Sequence, residues 1–275
     1  APLGYPVSAG IDVHPAEPED GTDISSSRRL RLRYYWAAIE KRLERARPGA
    51  AWDAVNVLNA ADIVLYEERQ GSYTGLVSMR TPAPFKTIVA ALRELLLTID
   101  DNPHLVTDTL PEALSEDFFL WLIDVQEQGG DLGGGYTLVD IAEISSKDRD
   151  FRSARFKDSA NAERVELAAL IARGKVGFGP AKLTITSDLH EATFNLELHL
   201  DGGFQPLRSS EYDEADYSKH DLGIALVDDV WTNALPVIRE TYSADAGGDW
   251  GTTRRAALRD SALDSICDLL GLRRA

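Results

Sequence analysis

Cysteine occurs once in this 275-residue chain, at Cys267, and methionine also occurs once. A lone thiol excludes an internal disulfide, so burial and hydrogen bonding must hold the fold. It also fits a reducing, cytoplasmic compartment. No apolar run reaches the roughly 18 residues of a membrane span, so no membrane partner is expected. Residues 1–26 lack the basic start and apolar stretch of a signal peptide and read as an extended N-terminal arm rich in proline, glycine and acid. Positive charge is scarce overall: the net charge is −16. Such a surface repels phosphates as a whole and favours a partner with a basic face. No Ser–His–Asp order, G-x-S-x-G elbow or metal-ligand spacing occurs, so no metal and no cofactor are expected.

What is present is a core. Hydrophobic residues make up 44% and charged residues 27%, which is ordinary globular composition. Arg28 to Arg47 predicts a helix with a stripe of Leu32, Trp36, Ile39, Leu43 and Ala46, ended by Pro48 and Gly49. Residues 51–70 read as helix turning to strand, and Ile63 to Thr81 as a hairpin around Gly71. A helix opens at Thr81 and Pro82 and carries Phe85, Ile88, Val89, Leu92, Leu95, Leu96 and Ile99 on one face. Ser115, with Glu116 and Asp117, predicts another helix start, and Gly129 and Gly130 its stop. Tyr136 to Ile144 predicts a central strand, followed by a charged loop over 147–157 and a helix over 161–173. Lys175 to Ser187 and Glu191 to Gly203 alternate as a hairpin, with a third strand at Phe204 to Leu207 and an exposed acidic loop over 209–221. The remainder is helical: a kink is expected at Pro236, a cap at Thr252 or Thr253, a stripe of Leu258, Ala262, Leu263, Ile266, Leu269 and Leu270, and a stop at Gly271. Strands in hairpins with grouped helices define an α+β fold with a mostly antiparallel sheet. The expected division is an arm at 1–26, a mainly helical half with a hairpin at 27–128, and an α+β half at 129–275, the two halves also being readable as one continuous domain.

Candidate sites are few. GGDLGGGYTLVDIAEI, residues 129–144, resembles a phosphate loop in composition, but its order is reversed. A helix ends, glycines follow and a strand begins, whereas phosphate binding needs the glycines to lead into a helix N-terminus. The strand then brings Asp140 and Glu143, with Lys147 beyond, as weak catalytic candidates for metal-dependent hydrolysis. Residues three apart on a regular strand face opposite sides, so the two acids diverge unless a bulge intervenes. His199, Glu197, Glu191 and Asp201 share strand parity, and their plainer reading is the solvent face of a hairpin.

Residues 28–47 carry eight basic and two acidic side chains, a local charge of +6 that leaves −22 for the other 255 residues. Arg31, Lys41, Arg42 and Arg45 would flank that helix together. Lys147, Arg149, Arg152 and Arg155 form a second basic set, interleaved with Phe151 and Phe156. Both sets are candidates for contact with nucleic acid or a protein partner. The functional expectation is a non-catalytic binding or assembly subunit of a larger intracellular complex, acting through the arm, the basic helix and the acidic loops. The alternatives are a nucleic-acid-associated protein and a metal-dependent hydrolase or nuclease.

Overall fold

The computed structural model describes residues 10–13, 29–39, 42, 45, 47–49, 56–69, 72–78, 82–98, 114–148, 153–157, 165–174, 176–213 and 219–271. The chain divides into two compact units, Ala1–Val106 and Thr107–Ala275. The division expected at 128/129 falls inside the second of these. The fold is α+β, with two antiparallel sheets.

The first unit is a four-stranded meander in the order β1 (Gly10–Val13), β2 (Arg29–Ile39), β3 (Asn56–Arg69) and β4 (Ser72–Val77), with helix α1 (Pro82–Leu97). The helix expected over 28–47 is therefore a strand as far as Ile39. β2 pairs with β3 over its whole length of 11 residues. The physical reason lies in the alternation of RLRLRY: Leu32 and Tyr34 are buried at 2% exposure, and the arginines fall between them. β3 is strand from Asn56 onward, and residues 51–55, where the expected helical beginning starts, lie outside the described residues. The 63–81 hairpin is formed by β3 and β4. The small core of this unit joins Leu32, Tyr34, Ala61 and Ile63 to Ile88 and Leu92 of α1.

The second unit opens with α2 (Glu116–Glu127). Ser115 caps it, its Oγ accepting from Phe118 N at 3.1 Å, and Glu116 and Asp117 place their charge at the positive end of the helix dipole. A six-stranded sheet follows: β5 (Tyr136–Asp148), β6 (Ser153–Lys157), β7 (Val176–Ser187), β8 (Ala192–Leu198), β9 (Phe204–Pro206) and β10 (Glu211–Tyr212). The path is β10-β8-β7-β5-β6, with β9 also on β8, so β5 is an interior strand. Of the charged loop expected over 147–157, Lys147 and Asp148 end β5 and Ser153–Lys157 form β6, paired from Glu143↔Lys157 to Lys147↔Ser153, while residues 149–152 lie outside the described residues.

The helices of this unit are α3 (Val165–Arg173), α4 (Lys219–Asp229), α5 (Leu235–Gly247) and α6 (Arg255–Leu270), with π-helical turns at Val230–Ala234 and Trp250–Arg254 before the last two. The first π turn stands just ahead of Pro236, whose ring lacks the N–H a regular helix would use there. Thr252 and Thr253 cap nothing: their hydroxyls donate one turn back, to the carbonyls of Gly248 and Asp249. Only Leu258 and Ala262 of the expected α6 stripe are buried, and Leu263, Leu269 and Leu270 are exposed. Gly271 ends the helix in the left-handed conformation.

The core lies between one sheet face and the helices. Ala181, Leu183 and Ile185 of β7 and Phe194, Leu196 and Leu198 of β8 meet α2, whose eight consecutive residues Phe118 to Val125 are all buried. Lys182, Thr184, Asn195 and Glu197 alternate with them on the other face and are half-buried.

Candidate functional site

β5 is long because it is irregular. Its register against β7 shifts between Leu138 and Asp140, between Ile141 and Glu143, and between Ile144 and Ser146. The first two set two steps of β5 against one of β7, as a bulge does, and each resets the alternation. Asp140 and Glu143 therefore stand opposite Thr184 and Lys182, two positions of the same β7 face. The bulges remove the geometric objection to pairing these acids, but each has its own partners. Gln126 Nε2 donates to Asp140 Oδ1 at 3.4 Å. Glu143 accepts from Arg155 Nε at Oε1 and from Lys182 Nζ, 3.4 Å away, at Oε2. Burial alone would raise the Glu143 pKa. The Arg155 hydrogen bond and the Lys182 charge outweigh it and hold the carboxyl below its ordinary value. Lys147 is exposed, opposite Gly177 and Ser153. Among the described residues, no group of three or more His, Cys, Asp or Glu side chains could hold a metal ion.

The strand register continues across the open face as a row of polar residues. Lys157, Glu143, Lys182, Glu197 and Gln205 are successive register partners from β6 to β9. His199 Nε2 lies 4.0 Å from Glu197 Oε1. Cross-strand pairs of opposite charge support a sheet modestly.

The basic candidates are described only in part. Arg31 is opposite Val64 in β2, while Arg33, next but one, donates from Nε to Asp62 Oδ1 at 2.6 Å. Arg42 and Arg45 are exposed, and Lys41, Arg149, Arg152 and Phe151 lie outside the described residues. Arg155 is committed to Glu143, and Phe156 is buried at 8% exposure, packed in the core and not offered to a base.

A charged cluster unforeseen in the sequence sits beneath the helices. Asp124, 6% exposed, accepts from Arg254 Nε at 3.0 Å, Arg254 Nη2 at 2.5 Å and Gln128 Nε2 at 2.9 Å. Arg254 Nη1 and Trp121 Nε1 both donate to Asp245 Oδ2 at 2.8 Å. One turn earlier, Asp117 Oδ2 accepts from Trp250 Nε1 at 2.9 Å and from the Tyr242 hydroxyl at 3.2 Å. Arg255 Nε lies 2.9 Å from Asp117 Oδ1, a charge contact without hydrogen-bond alignment. Burial pushes the Tyr242 hydroxyl pKa up; the Ser115 hydrogen bond opposes this and the Asp117 charge adds to it. A signal was legible: Asp117, Trp121, Asp124 and Gln128 recur at i, i+4, i+7 and i+11, a polar stripe in an otherwise apolar helix. The network fastens α2 to the α5–α6 corner. Most of its polar atoms are paired within it, Asp117 Oδ1 and Arg255 Nε excepted.

One end of the sheet is different. The β7–β8 turn exposes Leu189 at 61%. Around it stand the exposed acids Asp188, Glu191, Glu211 and Asp213, with Asp131 of the glycine-rich turn nearby. Backbone hydrogen bonds fix the group: Asp213 N donates to Glu191 O at 2.8 Å and Asp188 N to Gly135 O at 3.0 Å. The glycines that follow the α2 stop are thus part of this rim. Gly133 and Gly134 have positive φ, and a Cβ on either would strike Thr241 or Val237 of α5.

No family model and no curated protein matches the chain.

Proposed function

We propose that the chain is a non-catalytic binding or assembly subunit that receives a protein partner with a basic, apolar-tipped surface. The observation that carries this reading is Leu189, exposed at 61% within a rim of exposed acids at one end of the six-stranded sheet. An apolar anchor ringed by one sign of charge suits a complementary partner: the charges steer approach and the anchor supplies burial. The chain's net charge of −16 favours the same partner and repels nucleic acid. The acids proposed for hydrolysis support it indirectly, since Glu143 is already neutralised by Arg155 and Lys182.

The test is co-purification from the native source with quantitative cross-linking. The wild type is compared with a variant carrying Leu189→Asp, Glu211→Lys and Asp213→Lys. The expected result is a partner recovered in stoichiometric amount by the wild type and lost by the equally folded variant. Mg²⁺- or Mn²⁺-dependent hydrolysis of nucleic acid, abolished by Glu143→Gln, would overturn the reading. So would tight binding of DNA or RNA that weakens steeply with salt.

A further inference from the structure

Beneath the β7–β8 turn lies a polar cluster that the surface rim does not use. Tyr136 is 1% exposed, and neither its hydroxyl nor the buried Nε2 of His190 has a hydrogen-bond partner of good geometry among the described residues. The two rings lie 6.4 Å apart, tilted by 33°. Ser187 adjoins both: it stands opposite Tyr136 in the register, and its Oγ accepts from His190 N at 3.2 Å. On the helix side is Asp229, whose carboxylate accepts from the Tyr212 hydroxyl and from Asn233 Nδ2, the latter at 3.2 Å. Burial pushes the Tyr136 hydroxyl pKa up to about 12, with the Asp229 charge adding to it and Ser187 opposing.

A buried polar atom without a partner sacrifices about as much as a whole hydrogen bond. Native proteins rarely leave one so, and two in adjoining side chains call for a shared third group. The surroundings are polar enough to hold one. Two uncommon backbone features also meet here. Glu191 is the one non-glycine residue with positive φ among the described residues, at 45°, and the π turn Val230–Ala234 begins directly after Asp229.

We propose that one ordered water molecule bridges the Tyr136 hydroxyl and His190 Nε2, tying the β7–β8 turn to the end of α4. Tyr136 donates to the water, and the water hydrogen-bonds to His190 Nε2. Ser187 Oγ and the Asp229 carboxylate complete the two to four polar partners that buried waters usually have. The consequence is mechanical. Leu189 precedes His190, so a water-held His190 fixes the tip that carries the leucine. The proposal rests on the buried atoms and is independent of the binding reading.

A double-mutant cycle on the full chain tests it, using Tyr136→Phe, His190→Leu and both together. Each single variant is expected to lower the thermal midpoint by about 2–4 °C, and the double variant to fall no further than the worse single one. A midpoint raised by Tyr136→Phe, or two losses that simply add, would overturn the bridge. The wild type supplies a readout that needs no variant: water–protein cross-relaxation in NMR. A long-lived water correlated with ring protons of both Tyr136 and His190 is expected. Assigned rings without such a water would equally sink the proposal.

Discussion

The helix side and the open side of the six-stranded sheet each hold a nearly buried carboxylate shared among donors, and they differ in the depth of the partner. The Asp124 side chain is 8% exposed and that of its partner Arg254 24%. Glu143 is 12% exposed, but Arg155 is 54% exposed. Removing an acceptor strands its partner, and a stranded guanidinium costs much only where water cannot reach it. The count of ion pairs therefore says little about this fold, whereas their depth says which ones hold it together.

The sharpest test of that contrast is Asp124→Ala. It leaves Arg254 and Gln128 without their shared acceptor on the helix side, and a loss of about 3–5 kcal/mol is expected in urea unfolding. A loss under about 1 kcal/mol would show that Arg254 simply turns to water. Gly130→Ala should follow at about 2–3 kcal/mol, because the residue has φ +83° and a Cβ there would sit 2.2 Å from the Leu138 carbonyl oxygen. Gly135→Ala, at φ +79° with nothing within 4 Å, isolates the conformational part and should cost about 1 kcal/mol.

Glu143→Gln on the open side should cost about 1 kcal/mol or less at neutral pH. Its sign with pH is set by its lowered folded-state pKa. The contribution of Glu143 is complete above its unfolded pKa and disappears as the pH falls through the lower folded value. The stabilities of wild type and Glu143→Gln should therefore converge in acid. The smallest effect belongs to Leu189→Asp, which should leave stability within about 0.5 kcal/mol while removing partner recovery.

Much of the second unit was legible because its signals are local. The Ser115 cap, the Gly129–Gly130 stop, the β7–β8 alternation and the Gly271 stop depend on residues a few positions apart. Arg29 to Ile39 was misread because two periods coexist there, whereas Arg42 and Arg45 are helical as expected. Leu32, Trp36 and Ile39 satisfy a helix, but Leu32 and Tyr34 satisfy a strand, and only pairing with β3 chooses between them. β6 was misread as loop because exposed edge strands are polar and charged, much as loops are. The charged network was half legible: α2 displays its polar stripe, but nothing local connects Asp124 with Arg254, 130 residues later. The bulges that turn Asp140 and Glu143 toward one β7 face likewise leave no mark in the spacing of those residues.

The enclosure of α2 has a consequence in time. Its residues from Phe118 to Val125 are buried between sheet and helices, and both its ends are fastened, by Ser115 and Tyr242 at one and by Gly130 and Leu138 at the other. Such a helix has no partial way out. Its amides should exchange with solvent only when the entire second unit opens, so that α2 reports the opening of that unit as a whole.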